Sequence, residues 1–149
     1  MSDIKKIMAA IGFSSYSRAI LQYAANMAVD LNALLIVVNV INSRDVEAIS
    51  RIESMGYALN TSEYVKELKE ERKNQLDSLM KDISFPQERL QSFFEVGNPF
   101  NKLMDITKRE GVDLVIMGAK GRTDLQHVLL GSVADKMVHH STVPVLIFR

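Results

Sequence analysis

VDLVIMGAKGRTDLQHVLLGS, residues 112–132, decides how this chain is read. Val112 to Met117 is short, rich in branched side chains and almost free of polar interruption, the pattern of a strand buried on both faces of a parallel sheet. Beyond it the backbone has to turn. Gly118, Gly121 and Gly131 punctuate the exit, and Ser132 occupies the position where a new helix is expected to begin. Glycine there permits positive φ and lets backbone N–H groups approach an anion with no Cβ in the way. A helix opened by Ser132 offers a hydroxyl and a first turn of free amides at the positive end of its dipole. The stretch therefore has the makings of a phosphate site. The same residues could also serve structure alone, the glycines for the turn and the serine as a cap. Their spacing is neither G-x-x-x-x-G-K-[ST] nor G-x-G-x-x-G, so both readings stay open on the glycines alone.

Composition narrows the class. With 149 residues, 47% of them hydrophobic, the chain has the length of one domain, residues 1–149, and enough apolar material for a core. Its 18 lysines and arginines balance 18 acidic residues, so no net field draws it to nucleic acid or to an anionic membrane. The absence of cysteine excludes disulfides, iron–sulfur clusters and thiol catalysis, and a cytoplasmic location is expected. No apolar run approaches the roughly 20 residues that span a bilayer. The run from Ile7 to Ile11, behind two lysines, is too short for a signal peptide and reads as a strand.

Around the deciding stretch, strands and helices alternate. Lys6 to Ile11 is a first strand, followed by Gly12, Phe13 and a serine-rich loop in which Ser14 or Ser15 is the expected cap. Ala19, Ile20, Tyr23, Ala24, Met27, Ala28 and Leu31 then recur at helical spacing. Ala33 to Ile41 is a second buried strand, and two such strands joined through a helix form a right-handed βαβ unit. Asn42 to Asn60 carries a weak helical pattern through Val46, Ile49, Ile52 and Met55, broken near Gly56, and is expected as a mobile flap. Asn60, Thr61 or Ser62 caps a long amphipathic helix whose charged run KELKEERKNQ reads as a solvated face. Pro86 stops it, Leu90 to Val96 forms a third strand, and Gly97-Asn98-Pro99 turns into a further helix with Gly111 just past its end. A last helix from Ser132 to His140 precedes a fifth strand, Val143 to Phe148. Pro144 places that strand at an edge, where a second copy of the chain could cover it. The sum is an open, doubly wound α/β sheet, with a ligand expected beyond the carboxyl ends of its strands.

Gly118, two residues, Gly121, nine residues, Gly131 and Ser132 resemble the G-2x-G-9x-G-[ST] signature of the ATP-binding universal stress proteins. KIMAAI, LLIVVNVI, EVGNP, DLVIMGAKGR, LLGSVADKMV and VPVLIF extend that resemblance over essentially the whole chain. It implies a Rossmann-like, adenine nucleotide alpha hydrolase-like fold: five parallel strands in the order 3-2-1-4-5 with helices on both faces. It also implies a homodimer through the last strand and ATP, or another adenine nucleotide, with Mg2+ on its phosphates. The phosphates and ribose would lie against Gly118, Gly121, Gly131, Ser132 and Val133, with Arg122 or Lys120 offsetting charge. The adenine would lie near the backbone of Val40, and Ala10, Ile11, Gly12 and Met117 would complete the pocket. One loop departs from the family pattern: where V-D-G-S is usual, this chain has Ile11-Gly12-Phe13-Ser14. The family's aspartate faces the nucleotide, so Gly12 implies a lost polar contact worth about 0.5–1.5 kcal/mol, and Phe13 an aromatic ring at the pocket mouth. Weaker ATP binding or a changed preference among adenine nucleotides follows.

Catalysis would need a general base, an activated nucleophile or a metal site, and no such group is evident beside the loop. Asp124 reads as a loop cap, His127 as solvent- or dimer-facing, and the methionines as core filling. Asp135 and His139, four apart, permit a metal pair, but His140 points about 100° away and a surface pair is the simpler reading. A regulatory nucleotide-binding module is expected, not an enzyme, with a nucleotide-independent interaction or chaperone-like protein as the alternative.

Overall fold

The five apolar runs form one parallel sheet. β1 (Lys6–Ala10), β2 (Leu34–Asn42), β3 (Leu90–Gly97), β4 (Leu114–Gly118) and β5 (Val145–Phe148) lie in the order β3-β2-β1-β4-β5. Every pairing is parallel. The structure is a computed structural model and describes residues 3–120 and 129–149. β5 begins at Val145, not Val143, because Pro144 has no N–H for the ladder; its carbonyl still accepts from the Val115 N–H at 3.0 Å.

Period-two alternation sorts the core into two layers. Ile7, Ala9, Ile11, Leu35, Val37, Leu114 and Ile116 pack with α1 (Ser17–Asp30) and α3 (Thr61–Met80). Met8, Ile36, Val38, Val115 and Met117 turn to the opposite face, toward α4 (Pro99–Arg109) and α5 (Ser132–His140). The buried face of α1 is Ser17, Ile20, Leu21, Ala24, Ala25 and Ala28, rotated from the expected stripe, so that Ala19, Tyr23 and Leu31 are exposed. Three alanines let this helix lie close to the sheet. The Tyr23 ring meets Phe148 edge-on at 5.8 Å.

Short polar side chains cap α3 and α4. Asn60 and Asn98 each accept an amide at 3.0 Å, from Glu63 and Asn101, and Pro99 stands at the start of α4. α1 departs from the expected Ser14 or Ser15 cap: its N-cap is Tyr16 with no side-chain cap hydrogen bond, and Ser14 stays in the preceding turn, where its Oγ accepts from the Tyr16 N–H and its own N–H donates to Ser17 Oγ. The segment from Asn42 to Asn60 contains α2 (Ser43–Ser54), capped by Asn42 and ended before Gly56 at φ +92°. None of its residues is buried, and Met55 and Tyr57 behind it are exposed.

At the amino edge of the sheet, polar groups tie sequence-distant elements together. Asp113 accepts the backbone amides of Lys5 and Lys6 at 2.8 and 3.0 Å. Arg89 Nη2 donates to the carbonyls of Ala28 and Ala33 at 3.1 and 2.6 Å, joining the end of α1, the start of β2 and the entry to β3. Charged donors to such carbonyls are worth about 1.5–3 kcal/mol, so Arg89→Met, which keeps the stem, should lower unfolding free energy in urea by that amount.

On the α4 side, Glu95 accepts from Arg109 Nη2 at 2.6 Å, with Lys102 Nζ at 3.7 Å. The Arg109 hydrogen bond holds the Glu95 carboxyl below its ordinary range. A carboxylate whose folded pKa is depressed contributes stability above its unfolded pKa, and that stability is lost as pH falls through the folded value. Glu95→Gln should therefore be less stable than the native chain at neutral pH. The two urea midpoints should converge as the carboxylate protonates.

Candidate functional site

β1 ends before its neighbour does. Its pairing with β2 stops at Ala10↔Val38, whereas β2 stays paired with β3 as far as Asn42↔Gly97. The Ile11 N–H donates to the Val38 carbonyl at 3.0 Å. Alternate residues of a parallel strand turn their backbone groups to opposite neighbours. Val40, two residues beyond Val38, therefore turns its N–H and C=O toward the space that β1 has left. The Ile11 carbonyl, next in the ladder, accepts from the buried Asn39 Nδ2 at 2.8 Å.

Across this space lie the end of β4 and the start of α5. A Cβ on Gly118 would sit 3.1 Å from Ile20 Cδ1 and 3.4 Å from the Lys120 carbonyl oxygen, so glycine is there for room. At Gly118 and Gly131 the backbone is not left-handed. Gly131 has φ −65°, and the glycines of positive φ among the described residues are Gly56 and Gly111, just past helix ends. The Gly131 N–H donates to the Ala119 carbonyl at 2.6 Å and the Ala119 N–H to Phe148 at 2.9 Å, which fixes the start of α5 against the ends of β4 and β5. Asp135 N–H returns to the Gly131 carbonyl at 2.8 Å. The amides of Ser132, Val133 and Ala134 thus form the open first turn of the helix.

The sequence-selected residues divide accordingly. Ala10, Val40, Met117 and Val133 share the α4–α5 layer at the carboxyl edge, and the exposed Ser132 adjoins them. Ile11 does not join them through its side chain, which is buried in the α1–α3 layer; only its backbone is at the site. Gly12 is half-buried in the loop between. Gly121, Arg122, Asp124 and His127 lie outside the described residues. Phe13 corrects an expectation: at φ +54° its ring packs in the α1–α3 layer, beside Leu79, and not over the pocket mouth. Asp135 and His139 approach to 3.4 Å with both side chains exposed. Among the described residues no group of three potential ligands is placed to hold a metal.

Two residues escaped the sequence reading. Asn39, 2% exposed on β2, accepts at Oδ1 from Arg72 Nη1 of α3 at 2.6 Å. The signals were an amide side chain inside LLIVVNVI and an arginine four residues from both Leu68 and Leu76, on the inward stripe of a helix whose charges read as solvated.

An open parallel sheet whose central strand β1 stops short of β2, with a glycine-led helix N-terminus at its carboxyl edge, defines a Rossmann-like α/β protein. The model of the universal stress protein family matches residues 3–149, and the chain belongs to that family. It is 28% identical to the universal stress protein MJ0577 of Methanocaldococcus jannaschii, over 97% of this chain and 94% of the relative. Against the solved structure of MJ0577 the TM-score is 0.79, covering 98% of this chain and 96% of that one. Universal stress protein YxiE of Bacillus subtilis is 27% identical, over 97% of this chain and 98% of the relative. A universal stress protein solved in complex with cAMP has the same fold, with a TM-score of 0.65 at 20% identity, over 99% and 98% of the two chains.

The crowding at Gly118 is directly testable. Gly118→Ala should fold with a loss of about 1 kcal/mol as Ile20 shifts, and Gly118→Val with a larger loss, both read from urea unfolding.

Proposed function

We propose that this chain is an adenine-nucleotide-binding universal stress protein that holds ATP across the carboxyl ends of β1, β2 and β4. The observation that carries this reading is the convergence of Val40's outward-turned backbone with the first turn of α5 behind the G-2x-G-9x-G-S signature. Adenine presents a donor, N6–H, beside an acceptor, N1, and so complements one backbone C=O and N–H. Guanine presents the reverse and does not. The phosphates would meet the amides of Ser132 and Val133, with Gly118, Gly121 and Gly131 leaving room for their oxygens and Arg122 offsetting their charge. Ala10, Ile11, Gly12 and Met117 complete the walls. Mg2+ accompanies the phosphates, which supply most of its oxygen ligands.

The module is one cytoplasmic domain that binds and signals occupancy without turnover. It works as a homodimer joined along β5, whose Val145, Leu146 and Ile147 lie half-buried on an edge strand. The complex of a family member with cAMP supports an adenine nucleotide as the occupant. Gly12, in place of the usual acid, and the apolar edge strand favour a second reading, a nucleotide-independent interaction protein.

The chain has no tryptophan and four tyrosines, so co-purified nucleotide should dominate its near-ultraviolet absorbance and be identifiable by mass. In calorimetric titration with Mg-ATP, Gly131→Val should weaken binding at least about tenfold and Ser132→Ala by a few-fold. A folded native chain that binds no ATP at millimolar concentration would overturn the reading. Partner capture that is equal with and without ATP would favour the second.

A further inference from the structure

Asn39 and Arg72 form a buried polar link that the proposed site has not yet used. A carboxamide buried this deeply must satisfy both its ends. Arginine only donates, so its partner atom has to be Oδ1, which leaves Nδ2 to face the Ile11 carbonyl. The distances agree, 2.6 Å on the arginine side and 2.8 Å on the carbonyl side. The first is a short, charge-assisted bond, and it polarises the amide into a stronger donor toward Ile11.

The link reaches the site through one peptide group. With the Ile11 carbonyl held toward Asn39, the N–H of Gly12 on the same trans peptide points the opposite way. The carbonyl that would continue the β1–β2 ladder to Val40 is engaged by a side chain. Asn39 therefore ends the ladder where the crevice begins. Arg72 is positioned for this by packing, since Leu76, one turn on, is 1% exposed against the α1–α3 layer.

We propose that Arg72, acting through Asn39, is a positioning residue for the adenine end of the nucleotide site: it fixes the Ile11–Gly12 peptide and keeps Val40's backbone edge open to read the base. This rests on the adenine-nucleotide reading above. Neither side chain touches the nucleotide, so the effect falls on base discrimination and leaves the phosphate cradle at α5 unaltered.

The test is calorimetric titration of Mg-ATP, Mg-GTP and Mg-tripolyphosphate into the full chain and three variants, with melting temperature as the check on folding. Arg72→Met removes the charge. Asn39→Asp keeps an acceptor for Arg72 and gains an ion pair, but turns an acceptor on the Ile11 carbonyl; a merely structural link would tolerate it. Both should lose about tenfold in ATP affinity, and about the same in preference for ATP over GTP, with tripolyphosphate binding within twofold of the native chain. Arg72→Lys, which restores a charged donor, should recover most of the preference. Unchanged ATP/GTP preference in Arg72→Met and Asn39→Asp would overturn the inference while leaving nucleotide binding intact. A parallel fall in ATP and tripolyphosphate binding would also overturn it, by making the link a general support. A native chain that binds neither ligand would overturn both readings. Should Arg72→Met fail to fold, the Asn39→Asp selectivity decides.

Discussion

The rest of the structure depends on the point at which β1 stops. While β1 lies between β2 and β4, all three strands satisfy one another and both faces of the sheet are covered by helices. After Ala10 the chain leaves the sheet, and β2 continues beside β3 alone. A parallel strand that loses one neighbour has backbone donors and acceptors turned to empty space, and leaving them buried without partners would be costly. Leaving that edge open to solvent resolves the cost. The sheet also has to reverse its winding here, because β1 lies between strands reached by connections on opposite faces. The early end of β1 and the switch in winding therefore coincide, and α5 is held against the same edge by Gly131 and Ala119.

The alternation that builds the core also decides which residues can face a ligand. Ala10, Val40 and Met117 belong to the α4–α5 layer, and Ile11 and Asn39 belong to the other. A register slip of one residue would exchange the two sets. In the proposed site, direct contacts would thus fall to small or apolar side chains and to backbone. The α1–α3 layer acts from beneath, through Asn39, Arg72 and the ring of Phe13. A pocket of this kind is insensitive to many side-chain changes on its lining. It is sensitive to anything that moves the Ile11–Gly12 peptide.

Much of this was legible in the sequence, because local pattern and global arrangement agree. The runs KIMAAI, LLIVVNVI and DLVIMG can be little other than buried strands, and Asn60 and Asn98 cap where their neighbours indicate. Legibility ends where partners are far apart in sequence. Asn39 meets Ile11 and Arg72 across 28 and 33 residues, and no window around either end announces the other. The stripe on α1 was rotated because two of the three buried positions it missed, Ser17 and Ala25 beside Leu21, carry little hydrophobic signal, while the larger Tyr23 and Leu31 drew it to the exposed side. Gly118 and Gly131 were recognised as special for backbone sign and for close approach; neither has a positive φ, and at Gly118 a Cβ would crowd Ile20.

The first loop shows how a departure from the family pattern can be compensated. Phe13 occupies the left-handed region, φ +54°, at a position where the family uses glycine. A bulky residue there costs on the order of 1–2 kcal/mol, and it persists because its ring packs into the α1–α3 layer. Burying an aromatic ring even partly recovers an energy of that size. The loop that lost an acidic group at Gly12 has therefore gained an apolar anchor one residue later and, at Ile11, a hydrogen bond from Asn39. Those two attachments hold the peptide from below on both sides of Gly12. A glycine between two fixed points is no longer free to sample the conformations that usually make it costly. Its lack of a side chain then leaves space at the wall of the crevice, where the family's aspartate would reach in.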